Sequence, residues 1–332
     1  YMNDNVVVGW RGLPLYAARL IKAADGQFPI VATRPKVPIL GMDRELPQRI
    51  HWIPDDYNGG WAGLELSVPK LYFQPSWGLA AFNRLGDEVC RAGGKVVVMF
   101  DNPWRGDLRQ LLGALKFRTL WRRRFVAAWV AGASGRRLAS YWGFARDDIY
   151  EGMYGADPAL FSGSEIMPLS KRPRRFIFVA RLVEAKGVRE LLTAWHLFIK
   201  SHPHPDWELC IYGVGPLEEL VRADPSVKFF GFQQPEQIAA AMLEARFLVL
   251  PSYLEHWGLV VCEAAQAGCG LLLSRTVGSR LDLAGDFTEL AYKPKDPHSL
   301  CSALARAANL SESELSHLQA CARRTGMCFT PE

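Results

Sequence analysis

Apolar positions along the chain follow two alternating rhythms: short runs rich in Val, Ile, Leu and Phe, and longer stretches in which apolar residues recur every three or four positions. The first reads as strands buried on both faces, the second as helices with one face turned inward. In the first half, strands are predicted at 5–9, 29–33, 70–74 and 95–100, with helices at 13–24 and 79–92. A second series begins with a strand at 176–180. It continues with helices at 188–201, 216–222, 235–244 and 259–267 and strands at 208–212, 227–230, 247–251 and 270–274. Such alternation implies an α/β protein with parallel sheets covered on both faces. The segment 152–175 separates the two series, is rich in Gly, Pro, Ser and basic residues and lacks periodicity, so it reads as a linker. Two doubly wound, Rossmann-like domains facing a cleft are therefore expected, 1–157 and 158–332, with ligands taken at the strand and helix ends that converge there. Ser311-Glu-Ser-Glu314 opens a last helix, which is free to return to the first domain.

Length and composition narrow the class. A chain of 332 residues with 49% hydrophobic and 22% charged residues has enough apolar surface for two cores and is not disordered. No apolar run reaches the length of a bilayer-spanning helix, and the opening segment lacks the basic start and apolar core of a secretory signal. Seven scattered cysteines, none spaced C-x-x-C, fit reduced buried thiols, so a cytoplasmic protein is expected, at most at the inner face of the membrane. No H-x-x-x-H pair occurs, His202 and His204 sit in a proline-broken loop, and no D-x-D triplet is present. Neither zinc nor a carboxylate-held Mg²⁺ or Mn²⁺ is expected.

Two segments carry the chemistry. The strand at 176–180 runs into Arg181-Leu-Val-Glu-Ala-Lys186-Gly187 and then a helix. Cations beside a helix N-terminus can hold a diphosphate through charge and amide donors together. A solvated basic turn would look the same. The strand at 247–251 runs into Ser252-Tyr-Leu-Glu255-His256-Trp257-Gly258-Leu259-Val260-Val-Cys-Glu263. Gly258 permits close backbone approach at the start of an apolar helix, where N–H groups lack partners. Glu263 lies one turn inside that helix, where a carboxylate needs a partner: a ribose diol, or a neighbouring arginine.

Together these residues resemble the retaining glycosyltransferases of the GT-B fold, in particular family 4, the group 1 type with an E-x7-E element. Here that element is Glu255 and Glu263, with Glu255-His-Trp-Gly-Leu259 matching the family's run. Arg181 and Lys186 match its donor-diphosphate pair, Tyr212-Gly213-Val-Gly215-Pro-Leu217 its strand-end glycine turn, and Phe230-Gly231-Phe232 its segment near the nucleobase. The likeness spans roughly residues 145–310. It implies that Arg181 and Lys186 neutralise the leaving diphosphate, Glu263 binds the ribose and Glu255 touches the donor sugar. Amides of Trp257, Gly258, Leu259 and Val260 would add to diphosphate binding, and no metal cofactor would be needed. Glu151 to Phe161 is similar to the family's interdomain element, with Gly155 and Asp157 kept. Gly9-Trp-Arg-Gly12 follows the first strand and is a candidate second contact to the diphosphate. Phe100 stands where many relatives have a histidine near the reacting sugar, and Asp101 is the candidate for an acceptor-side role, or else a turn residue. A front-face displacement needs no enzyme nucleophile. The leaving diphosphate would accept the acceptor's proton, which trapping of a covalent glycosyl-enzyme would contradict.

The implied activity is transfer of a hexose-type sugar from a UDP- or GDP-sugar to a glycan or lipid-linked acceptor, as in cell-surface polysaccharide or lipopolysaccharide synthesis. A sugar-nucleotide 2-epimerase and a non-catalytic nucleotide-sugar binder remain alternatives. Charge is uneven: residues 1–160 hold 21 Lys and Arg against 15 Asp and Glu, whereas 161–332 hold 18 against 19. Within the basic half, 116–129 interleaves five cations with four aromatics. This fits peripheral contact with an anionic membrane, or an amphipathic helix with its arginines in water. No nucleic-acid-binding motif accompanies it.

Overall fold

The computed structural model describes residues 5–13, 17, 21, 28–35, 50–163, 166–201, 206–285 and 288–331. The chain divides into two compact units, one of residues 1–154 with 331–332 and one of residues 155–330.

The first unit carries a seven-stranded sheet, every neighbouring pair parallel. Its strands are β1 (Val6–Trp10), β2 (Ile30–Ala32), β3 (Ile50–Trp52), β4 (Leu71–Pro75), β5 (Lys95–Phe100), β6 (Ala127–Val130) and β7 (Ile149–Tyr150), in the order β3-β2-β1-β4-β5-β6-β7. Helices α1 (Ala80–Arg91), α2 (Leu108–Leu120) and α3 (Ala133–Tyr141) connect the later strands. Most of the helix expected over 13–24 lies outside the described residues, as do His202 and His204; of that helix Leu13, Ala17 and Ile21 are described and buried. In β5, every residue after Lys95 is buried, as a strand covered on both faces requires. Trp61 anchors the core: fully buried, it donates from Nε1 to the Leu85 carbonyl and meets the Tyr72 ring edge-on.

The basic stretch 116–129 is not one helix. It contains the end of α2, a 3₁₀ turn at Arg122–Arg124 and the start of β6. Phe117 and Phe125 are buried in the core. Arg122 donates to the Gly143 and Phe125 carbonyls, and Arg124 pairs with Asp87. Half of the aromatics and two of the cations are thus structural.

The second unit holds β8 (Arg175–Val179), β9 (Glu208–Tyr212), β10 (Lys228–Gly231), β11 (Phe247–Leu250) and β12 (Gly270–Leu273), all parallel, in the order β10-β9-β8-β11-β12. The short α4 (Pro158–Phe161) precedes them, α5 (Val188–Ser201), α6 (Glu218–Arg222), α7 (Pro235–Glu244) and α8 (Leu259–Gln266) run between them, and α9 (Arg280–Leu283), α10 (Pro297–Ala308) and α11 (Glu312–Gly326) follow. Every element predicted from 176 to 274 is present with ends within two residues. Alternate strand residues serve opposite cores: Phe176 and Phe178 face the Trp195 and Phe198 side, Ile177 the Val261 and Ala264 side. Ser311 and Glu314 form the capping box that opens α11, which packs on α8 and β12 in this same unit.

Arg172 fixes the rear of this sheet. Only 1% exposed, its guanidinium donates to the carbonyls of Met242 (3.2 Å) and Ala245 (2.8 Å) at the end of α7, and of Ala267 (2.8 Å) at the end of α8. A cation at two helix C-termini answers both the unsatisfied carbonyls and the negative dipole ends. Burial holds its pKa below the ordinary arginine value.

Candidate active site

The order of strands reverses between β8 and β11, which are neighbours although far apart in sequence. In open α/β sheets ligands bind beyond the carboxyl ends at such a point. The loops leaving those ends are packed backbone against backbone, and glycines make this possible. An added Cβ on Gly187 (φ +70°) would lie 2.3 Å from the Pro251 carbonyl oxygen, which brings the N-terminus of α5 against the end of β11. On Gly213 (φ +131°) it would lie 1.9 Å from the Ala180 oxygen, and on Gly215 (φ +157°) 2.5 Å from that of Leu182. The contacts are cemented by Leu182 N–H to Val214 O (2.9 Å) and Tyr253 N–H to Ala185 O (2.9 Å).

This packing gathers the side chains singled out by sequence. Arg181 lies two residues beyond the end of β8, exposed and without an ion pair among the described residues. Lys186 ends the short turn Glu184–Lys186, and its Nζ donates to Oε2 of Glu255. Glu255, only 15% exposed, also accepts from the Ser252 hydroxyl at 3.2 Å, and its carbonyl accepts from Gly278 N–H at 3.0 Å. Gly258, at φ +83°, occupies the N-cap of α8. Leu259 and Val260 begin that helix half-buried, with N–H groups that have no partner within the helix. Glu263 is half-buried at its fifth residue. Trp257 is 3% exposed and packs on Phe329, so only its backbone can face a ligand. At the neighbouring strand ends Phe230 stacks on Tyr212, ring centres 4.6 Å apart, and Phe230 and Phe232 are 44% and 46% exposed.

Sequence reading placed Ser252 at the start of the E-x7-E segment without a role and missed two further members of this constellation. Ser252, fully buried, holds Glu255, and Thr276 holds the Ser252 carbonyl at 2.9 Å. Gly278 is obligatory, because a Cβ there would meet the His256 oxygen at 1.8 Å. A glycine two residues beyond Thr276 in a turn was the available signal.

In the first unit the result is mixed. Gly9 is not in a loop: β1 extends to Trp10, and the space a Gly9 Cβ would take is filled by Pro75 Cδ (2.6 Å) and the Tyr72 hydroxyl (2.8 Å). Gly12 is in the loop, at φ +57°, its N–H bound to Thr33 Oγ1 at 2.8 Å. Phe100 is a core residue, 4% exposed and 4.2 Å from the Trp142 ring. Asp101 is half-buried and accepts from the Tyr154 hydroxyl at 3.1 Å, while the Tyr154 ring lies 6.5 Å from Trp10. Tyr154 escaped the sequence reading because it lies beyond β7, in a segment without periodicity.

Burial pushes the thiol of Cys262 up to about 12 and those of Cys210 and Cys269 up to about 11, so these are inert at neutral pH. Among the described residues no three His, Cys, Asp or Glu side chains come together as metal ligands, and no helix is long and apolar enough to cross a membrane.

Residues 164–323 match the family described as Glycosyl transferases group 1. The second unit is a group 1 glycosyltransferase domain. Its sequence is similar to the D-inositol 3-phosphate glycosyltransferase of Corynebacterium kroppenstedtii, 29% identical over 140 residues, which are 38% of this chain and 31% of that protein. It is also similar to the glycogen synthase of Mycobacterium tuberculosis, 29% identical over 139 residues, 40% of this chain and 33% of that protein. The chain thus spans about a third of the length of the curated relatives it matches. Similar solved structures cover nearly all of it. Anabaena HepE in complex with UDP has a TM-score of 0.73 at 14% identity, covering 98% of this chain and 96% of that one. Sucrose-phosphate synthase from Thermosynechococcus elongatus has 0.63 at 17% identity, covering 97% and 94%. The fold is that of the GT-B glycosyltransferases.

Proposed function

We propose that the protein is a retaining glycosyltransferase that moves a hexose-type sugar from a nucleoside diphosphate to a glycan or lipid-linked acceptor, in the synthesis of a cell-surface polysaccharide or lipopolysaccharide. The observation that carries this reading is the glycine-packed convergence of Arg181, Lys186, Glu255 and the start of α8 at the strand-order reversal of the group 1 domain. HepE was solved with UDP and with UDP-glucose, which favours UDP over GDP as the leaving group here. The diphosphate would lie between Arg181, Lys186 and the first amides of α8, its ribose on Glu263 and its base against Phe230 and Phe232. As the bond from the sugar's anomeric carbon to the diphosphate oxygen breaks, the acceptor oxygen bonds that carbon on the same face. The acceptor's proton passes to the departing oxygen. Two cations and fixed amides stabilise the charge that grows there, the part a metal ion plays in other transferases. Asp101, oriented by Tyr154, would face the acceptor.

Thermal unfolding with UDP, GDP and ADP tests the donor site. A ligand at 100 times its Kd adds about 2.7 kcal/mol of stability, several degrees of melting temperature. UDP is expected to stabilise the wild type and, with one ribose contact gone, to lose most of that effect on Glu263→Ala. An equal shift in both proteins removes Glu263 from the site, and no shift with any nucleotide defeats the donor assignment. Product analysis with and without acceptor then separates transfer from epimerisation or binding alone.

A further inference from the structure

The proposed lipid-linked acceptor raises the question of which surface meets a membrane, and 116–129 does not supply it, with Phe117 and Phe125 in the core. The helix α2, whose last turn overlaps that stretch at 116–120, does. α2 buries Ala114 and Phe117 on one side. Its opposite side carries Leu108, Leu111, Leu112 and Leu115, which are 78%, 40%, 68% and 61% exposed. Their spacing, three, four and seven residues from the first, makes one continuous stripe along the helix. Helical geometry at 3.6 residues per turn places Arg109 and Lys116 along one border of that stripe and Arg118 along the other. From 105 to 124 the chain has seven Lys and Arg against one acid, Asp107; Arg105 pairs with Asp107, Arg122 with Asp148 and Arg124 with Asp87, which leaves Arg109, Lys116, Arg118 and Arg123 without an ion pair among the described residues.

We infer that α2 is a membrane-docking helix, which lies in the plane of an anionic lipid surface with its four leucines among the acyl chains and its flanking cations at the headgroups. A leucine stripe bordered by cations is the arrangement that holds a helix at such an interface. Charge decides against a second copy of this chain as the occupant, because face-to-face pairing would set two strongly basic strips against each other. An anionic bilayer instead complements the strip while accepting the leucines. The inference rests on the proposed function only for the lipid-linked acceptor, and binding to vesicles is measured without donor or acceptor, so the two can fail separately.

The test is co-sedimentation of the full chain with phosphatidylcholine vesicles, with and without phosphatidylglycerol, at low and high salt. Wild type is expected to sediment with the anionic vesicles and to be released by salt. Leu112→Glu with Leu115→Glu should lower the bound fraction at least about tenfold. Its melting temperature should not change, because both side chains face water. Arg109→Gln with Lys116→Gln should weaken binding to anionic vesicles and reduce its salt dependence. Failure of the wild type to sediment overturns the inference, and so does sedimentation that the leucine substitutions leave unchanged. Light scattering after size exclusion covers the other occupant: a dimer that those substitutions dissociate, without vesicle binding, would assign the stripe to self-association.

Discussion

Replacing Lys186 by alanine should lower kcat and kcat/KM together by about 10²–10³-fold, the loss typical of removing one preorganised donor from a developing oxyanion. The ammonium is positioned before any substrate arrives. Glu255 holds it, Ser252 holds Glu255, and the Gly187–Pro251 approach fixes the turn that presents it. In the proposed transfer its attraction for the diphosphate grows as the sugar departs, so its removal raises the barrier more than it weakens donor binding. Lys186→Arg keeps the charge on a broader, planar group and should recover only part of the rate. The alanine variant also leaves a carboxylate, 15% exposed, without its counter-ion, so thermal unfolding must accompany the kinetics. Initial rates of UDP release across donor concentrations decide the matter. A raised KM with unchanged kcat would mean that Lys186 serves only to bind the donor.

Gly213→Ala should destabilise the second unit by roughly 3 kcal/mol or more, about 6–12 °C in melting temperature for a unit of this size. At φ +131° an L-residue is already strained, and the new methyl would meet the Ala180 carbonyl oxygen at 1.9 Å. That oxygen belongs to the backbone, so relief requires the loops after β8 and β9 to part. Gly231→Ala is the matched control. It too sits at positive φ, +67°, but the nearest atom to its Cβ is Phe229 Cζ at 4.0 Å, so only the conformational cost of about 1–2 kcal/mol applies. Equal losses in the two variants would show that close loop packing contributes nothing at Gly213.

The contrast between the halves shows what a sequence exposes. β11 is uniformly apolar and β8 is apolar after Arg175, and they end at Pro or a charged turn, so their limits can be read directly. In the first half β6 is Ala-Ala-Trp-Val behind a run of arginines, and β7 is two residues long. Neither carries enough pattern to register. α2 is hidden for another reason: leucines on its wet side and Phe117 on its dry side cancel the single-face rhythm by which helices are recognised. In the candidate site, the charged groups and the glycines of the turns were legible because each had a local motif. Thr276 reaches Ser252 across 24 residues of chain and Gly278 reaches Glu255 across 23, relations that no local pattern records.

The two ends of the second unit meet. Ala156 N–H donates to the Phe329 carbonyl at 3.1 Å, Gln266 bridges the Ala156 and Phe329 carbonyls, and Gly155 lies so close to Thr330 that a Cβ would come within 2.4 Å of it. The chain of this unit is therefore nearly a ring, with Gln266 of α8 as its clasp. A ring has no obligatory starting point, so the second unit is expected to tolerate reopening at an exposed loop, its old ends joined, with every strand neighbour of the sheet retained.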